Sequence, residues 1–228
     1  MKKYLLALLP ALVLGFGSCK KDAPDLTGTT LSNGTSGNSA SSSNDSYFPT
    51  TKGSSWTYQS DLTGTTKSAE SHITGVIKSI DGEDYYEVKS STPGNENVVQ
   101  YNYAKGKKYK MRATTVQTQT TVDFFLLDDN LPVGGEWTAK MSPSGYINDM
   151  PARTQCKIIE KGIIKTVLNK TYKNVIHTHV TMQYDLGNGF EDYGDYDFYL
   201  AKGVGLIQTD ASFFGFTSST YLAAYTIK

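Results

Sequence analysis

Residues 71–114 read SHITGVIKSIDGEDYYEVKSSTPGNENVVQYNYAKGKKYKMRAT, and this stretch decides the fold class. Asp81-Gly82 separates the runs Ser71–Ile80 and Glu83–Ser91. An Asp-Gly pair between two such runs is a strong hairpin signal, because the tight turn that matches strand twist needs positive φ at both central residues. Pro93-Gly94-Asn95 then precedes Val98–Tyr103, and Lys105-Gly106-Lys107 leads into Lys108–Thr114. In that last run Tyr109, Met111 and Ala113 alternate with Lys108, Lys110 and Arg112. Strict alternation is what a sheet with one buried and one wet face requires.

The same signals continue on both sides. Val116, Val122, Phe124 and Leu126 share one parity within Thr115–Leu127. Further strands fit Gln155–Lys161, Ile163–Leu168, Val175–Tyr184, Tyr196–Leu200, Gly205–Thr209 and Thr220–Ile227. No window of a dozen residues has helical spacing. Consecutive strands joined by short turns predict an all-β domain with little helix: a single antiparallel meander, strongly curved or a half-barrel. One echo stands out. Gly53-Ser54-Ser55-Trp56-Thr57 recurs as Gly134-Gly135-Glu136-Trp137-Thr138, each after a proline, Pro49 and Pro132. A duplication would give two similar half-sheets; the simpler reading is one local solution used twice, a turn glycine followed by a large core anchor.

The N-terminus has a different character. Lys2 and Lys3 precede an apolar run, Leu5 to Phe16, then Gly17, Ser18 and Cys19. This is the pattern of a secretory leader, residues 1–18, with a cysteine at the first mature position. A helix spanning a bilayer needs about twenty apolar residues, and this run is shorter. Residues 20–46 contain almost no apolar side chains and form a linker that cannot offset its ordering entropy. Such a linker has a root-mean-square span of about 30 Å. The β-domain is expected over residues 47–228.

Composition excludes several classes. The leader removes two lysines and no acid, leaving 20 basic and 22 acidic residues and no basic stripe, so nucleic acid is not an expected partner. Cys156 is the only cysteine besides Cys19, which rules out a disulfide framework within the domain. It reads as a small buried hydrophobe, since cysteine catalysis needs an adjacent base. The sixteen tyrosines suit an extracytoplasmic β-protein.

With these residues in view, the chain resembles known groups. Gly17-Ser18-Cys19 resembles the lipobox of bacterial lipoproteins, which implies that Cys19 is lipidated. Tyr47-Phe48-Pro49, Gly53 and Trp56-Thr57-Tyr58, with the later Gly203-Val204-Gly205, resemble Bacteroidota outer-membrane lipoprotein domains of unknown function. That resemblance implies a curved sheet like those of lipoprotein carriers, on the periplasmic or the exterior side of the outer membrane. It implies no activity.

Chemical patterns are few. His177 and His179 point to the same side of a strand and could share a metal, but a zinc site needs a third protein ligand. The remaining histidine, His72, cannot be placed beside them from sequence, so no metal is assigned. Glu191, Asp192, Asp195 and Asp197 follow Gly187-Asn188-Gly189 without the spacing of a calcium loop. Nothing among them identifies the acid and nucleophile of a glycosidase. Tyr85, Tyr86, Tyr101, Tyr103, Tyr193, Tyr196 and Tyr199 are candidates for a shared ligand-facing surface. No catalytic residue and no cofactor is assigned. The expected function is non-catalytic binding or scaffolding in the envelope, with an apolar or amphiphilic ligand inside the curved sheet; the partners expected are the membrane, through the lipid anchor, and an apolar ligand or a glycan. The alternatives are an envelope glycan hydrolase and an adhesion or complex subunit.

Overall fold

The computed structural model describes residues 45–228 apart from 63–64, 93–94 and 115–119. The leader, Cys19 and most of the linker lie outside the described residues. Within them the chain forms thirteen strands and no helix. The first half runs β1 (Ser55–Leu62), β2 (Thr65–Ile80), β3 (Glu83–Thr92), β4 (Asn95–Lys105), β5 (Lys108–Thr114) and β6 (Thr121–Asp128). The second runs β7 (Glu136–Lys140), β8 (Tyr146–Ile147), β9 (Met150–Val167), β10 (Lys170–Asp185), β11 (Phe190–Ala201), β12 (Gly205–Phe213) and β13 (Phe216–Thr226).

The sheet order is β6-β5-β4-β3-β2-β1-β13-β12-β11-β10-β9-β7, with β8 paired to β9 alone. Every pairing is antiparallel, as the short turns require. Asp81-Gly82 makes the expected tight turn, with φ of 54° and 80°. Two features go beyond a simple meander. The last strand returns to pair with the first, Trp56 opposite Tyr225 and Ser60 opposite Thr220. And the chain crosses from β6 at one edge of the sheet to β7 at the other.

Those two edges meet. Asp123 N–H donates to Met141 O at 2.8 Å. Trp137 Nε1 donates to Phe125 O at 3.2 Å, Thr178 Oγ1 to Leu126 O at 2.9 Å, and the Cys156 thiol to Phe125 O at 3.8 Å. An open strand edge exposes main-chain groups that recruit other chains. Here side chains of β7, β9 and β10 answer the carbonyls of β6 in place of a neighbouring strand. The sheet is thereby curled into a nearly closed barrel.

The echo has a structural counterpart. Gly53 N–H donates to Ile73 O and Ile73 N–H to Ser54 O; Gly134 N–H donates to Ile158 O and Ile158 N–H to Gly135 O. Gly53 and Gly134 both hold positive φ, 84° and 81°. Each half therefore opens with the same turn, locked to a long strand of its own, β2 or β9, and then proceeds through successive hairpins.

The main core joins Phe124 and Leu126 of β6 to Val180, Met182, Tyr196, Phe198 and Leu200 of β10 and β11. Phe124 meets Tyr196 edge-on, at a centroid separation of 5.3 Å. A second cluster gathers Trp56, Ile73, Val88, Ile207 and Leu222. The segment before β1 is tied down too. Tyr47 and Phe48 are buried against Tyr109, and Ser46 O accepts from Gly203 N–H at 2.9 Å. The chain thus enters the barrel at the β11–β12 turn, the end opposite the β12–β13 turn.

Candidate functional site

The inner face of β1 to β4 is not packed like the rest. Residues directly opposite in a ladder share a face. The register sets Ser71 between Trp56 and Ser90, Ala69 beside Tyr58, Gln100 beside Val88, and Asn102 beside Met111. The small side chains Ala69, Ser71 and Ser90 leave a cavity of about 70 Å³. Its lining interleaves apolar and aromatic side chains, Phe48, Trp56, Tyr58, Met111 and Phe198, with neutral polar ones, Ser71, Ser90, Gln100, Asn102 and Thr220.

Two of the aromatic side chains are fixed by main-chain carbonyls. Trp56 Nε1 donates to Val204 O at 2.7 Å, and Tyr58 OH donates to Leu206 O at 3.0 Å. Burial, with a smaller contribution from Tyr172, raises the Tyr58 pKa, so this hydroxyl stays protonated. Gly205 passes close to the indole, where a Cβ would stand 3.4 Å from Trp56 Nε1, and its φ of 109° is open to glycine. On the same sheet face, Gln100 Nε2 donates to Asn102 Oδ1 at 2.9 Å. Beside Thr220, on the same face, Ser60 and Thr209 are each 3% exposed, and neither hydroxyl oxygen has a hydrogen-bond partner among the described residues. Among the described residues no aspartate, glutamate, lysine, arginine or histidine lines the cavity.

The histidine pair lies on the outer face of the barrel. There the structure brings together residues that sequence could only name separately. His177 Nε2 and His179 Nδ1 stand 2.7 and 3.0 Å from the same oxygen of Asp197. The other nitrogen of His177 is 3.3 Å from Glu160, and that of His179 is 3.3 Å from Asp195. Tyr199 stacks on His177 at 4.3 Å, with Lys165 Nζ 3.5 Å above its ring. The result is a continuous ladder, Glu160–His177–Asp197–His179–Asp195, stitching β9, β10 and β11. Burial raises the Asp197 pKa, but hydrogen bonds from both histidines and their charges outweigh it and hold the carboxyl below its ordinary value. Among the described residues no three such side chains are arranged to hold a metal. His72 sits on β2, opposite Ser55 and Lys89, far along the sheet from the pair.

The remaining candidates are dispersed. Asp192 accepts from Gln183 Nε2 at 2.7 Å, and Asp195 accepts from Thr181 Oγ1 at 2.8 Å. Glu191 is exposed. The tyrosines do not form one surface. Tyr196 is buried in the core, whereas Tyr85 and Tyr103 pack together on the outer side beside Arg112 and Lys110. Cys156 is fully buried, and burial pushes its thiol pKa up to about 12. The residues that sequence reasoning missed are Ser71, Ser90, Gln100 and Asn102. Their signal was present as small or amide residues at inward positions, but it is readable only once the register says which face is inside.

No known protein family matches the chain, and no curated protein does. Solved structures it is similar to include a candidate lipoprotein from Parabacteroides distasonis. That protein is 13% identical, with a TM-score of 0.49 over 80% of this chain and 99% of the other. A candidate exported protein with a YmcC-like fold from Bacteroides fragilis is 9% identical, with a TM-score of 0.48 over 80% and 99% of the respective chains. At these values the likeness carries no argument about ligand or activity.

Proposed function

We propose that this chain is a lipid-anchored, non-catalytic binding domain of the bacterial outer membrane, and that its ligand enters the cleft on the inner face of β1 to β4. The leader, Cys19 and the polar linker support the anchoring. The observation that carries the binding reading is the cavity lining: aromatic and neutral polar side chains side by side, with no carboxylate among the described residues. Glycoside hydrolysis uses two carboxyl groups about 5–10 Å apart across the bond. Asp192, Asp195 and Asp197 instead share the outer face with Gln183, Thr181 and His179. Size refines the expectation of a carried amphiphile. A drug-sized site spans roughly 300–1,000 Å³, so a cleft of about 70 Å³ takes one end of a molecule rather than a whole acyl chain.

Native mass spectrometry of the protein released gently from its own envelope tests this reading. A noncovalent adduct of discrete mass, lost on denaturation, is the expected result. Its absence in every preparation, together with release of reducing ends from envelope glycan, would favour the hydrolase.

One observation favours a second reading, an adhesion or complex subunit. Tyr146, Phe190, Phe214 and Phe216 are exposed at neighbouring hairpin ends, on the pole away from the tether. Cross-linking in whole cells through these positions would return a partner protein if that pole is the working surface.

A further inference from the structure

We infer that the cleft receives an uncharged, hydroxyl-bearing group, such as the edge of a neutral sugar ring, and refuses charged analogues of the same shape. This rests on the binding reading above and specifies its ligand.

The charge selectivity follows from the lining. The ionisable side chain among the lining residues is Tyr58, and its hydroxyl is spent on Leu206 O. A charged ligand would shed its hydration and find no counter-ion among the described lining residues. Burying an unpaired charge is among the most costly events in a protein interior. A neutral hydroxyl group loses far less and finds matching partners.

The hydroxyl preference follows from what the polar lining residues offer. Gln100 and Asn102 each bring an amide that both donates and accepts, and one bond joins them, Gln100 Nε2 to Asn102 Oδ1. The remaining amide valences, with the hydroxyls of Ser71, Ser90 and Thr220, suit a group that also both donates and accepts.

The lining also suits the two characters of a sugar ring, C–H groups on its face and hydroxyls on its rim. Trp56 stands next to Ser71 and Met111 next to Asn102, so apolar and polar partners are offered side by side. By the liquid share of about 30 Å³ per water, the enclosed room fits only a few non-hydrogen atoms, so one edge of the ring enters. The rest stays toward solvent, past the half-exposed Ser71, Ser90, Gln100 and Asn102.

The test uses the detergent-solubilised mature chain, with the Trp56 indole N–H followed by NMR. The Trp137→Phe variant assigns that resonance. N-acetylglucosamine, glucosamine and glucuronate share a ring and differ in charge. N-acetylglucosamine is expected to shift the Trp56 signal saturably, and the two charged sugars to bind at least tenfold more weakly. Gln100→Leu should weaken the neutral sugar at least tenfold; Thr220→Val, a smaller change of shape, serves if that variant unfolds. Equal binding of all three sugars overturns the inference. Saturation by 1-octanol but by no sugar overturns it and leaves the binding reading standing. If neither 1-octanol nor any sugar moves the Trp56 signal, both fall.

Discussion

The indole of Trp56 donates its N–H to the main-chain carbonyl of Val204, which lies 148 residues further along the chain, at 2.7 Å. Trp137 does the converse, donating from the second half to Phe125 O in the first. Each half of the sheet thus closes on the other through the tryptophan that opens it. Trp56 is the more deeply buried of the two. Truncating a buried Trp to Ala costs about 3–5 kcal/mol, and we expect Trp56→Ala to fall in that range by chemical denaturation. Trp137→Ala should cost less. Trp56→Phe keeps a ring but leaves Val204 O without its donor, adding about 1 kcal/mol. A loss below about 0.5 kcal/mol for Trp56→Ala, the range of surface changes, would show that this tryptophan is no anchor.

Asp197 gives the sheet an acid-sensitive stitch. Its folded-state pKa lies below the unfolded value, about 3.9 for an aspartate. The stabilisation is therefore complete above that unfolded value and disappears as pH falls through the folded one. Asp197→Asn should lower the thermal midpoint at pH 6, and the gap from wild type should close toward pH 2. A gap that stays constant with pH would mean that the carboxylate charge does nothing for the fold.

The hairpins were legible because their cause is local. Asp81-Gly82 dictates its turn through positive φ, and Tyr109, Met111 and Ala113 dictate the inner face of β5 by period. Long strands were not. Gln155–Lys161 and Ile163–Leu168 read as two strands, but both belong to β9, which passes through Gly162 at a φ of 71° without ending. A glycine signals a turn or a bulge alike, and only the pairing with β10 decides. The return of β13 to β1 and the meeting of β6 with β7 are long-range choices with no mark in either strand. The site was hidden for the same reason. Ser71, Ser90, Gln100 and Asn102 look like surface residues until the sheet curls. Likewise, His177 and His179 advertised themselves, but the carboxylate they share comes from the neighbouring strand.

Cys156 is built as a packing residue. With its thiol pKa pushed up to about 12 by burial, almost no thiolate exists at pH 8, and the thiolate is the reactive form. Iodoacetamide should leave the folded protein unmodified and label it fully in denaturant. Fast labelling of the native state would contradict this burial and reopen a chemical role.

The membrane attachment is expected to depend on Cys19 alone. One acyl chain holds a protein only marginally, and the several chains of a mature lipoprotein hold it firmly. Cys19→Ser should move the protein to the soluble fraction or leave the leader uncleaved. A cleaved Cys19→Ser protein that stays on the membrane would mean that the domain itself binds lipid or a membrane partner.

The central claim, that the space beside Ser71 and Ser90 is a ligand site rather than a packing defect, is tested most directly by filling it. Ser90→Leu places apolar volume where the cavity is. A ligand that binds only the folded state raises its apparent stability. The measurement is the thermal midpoint of wild type and Ser90→Leu, each as released from the envelope and again after refolding to strip bound molecules. The account predicts that stripping lowers the wild-type midpoint and leaves that of Ser90→Leu unchanged. A wild-type midpoint that stripping does not move would contradict it.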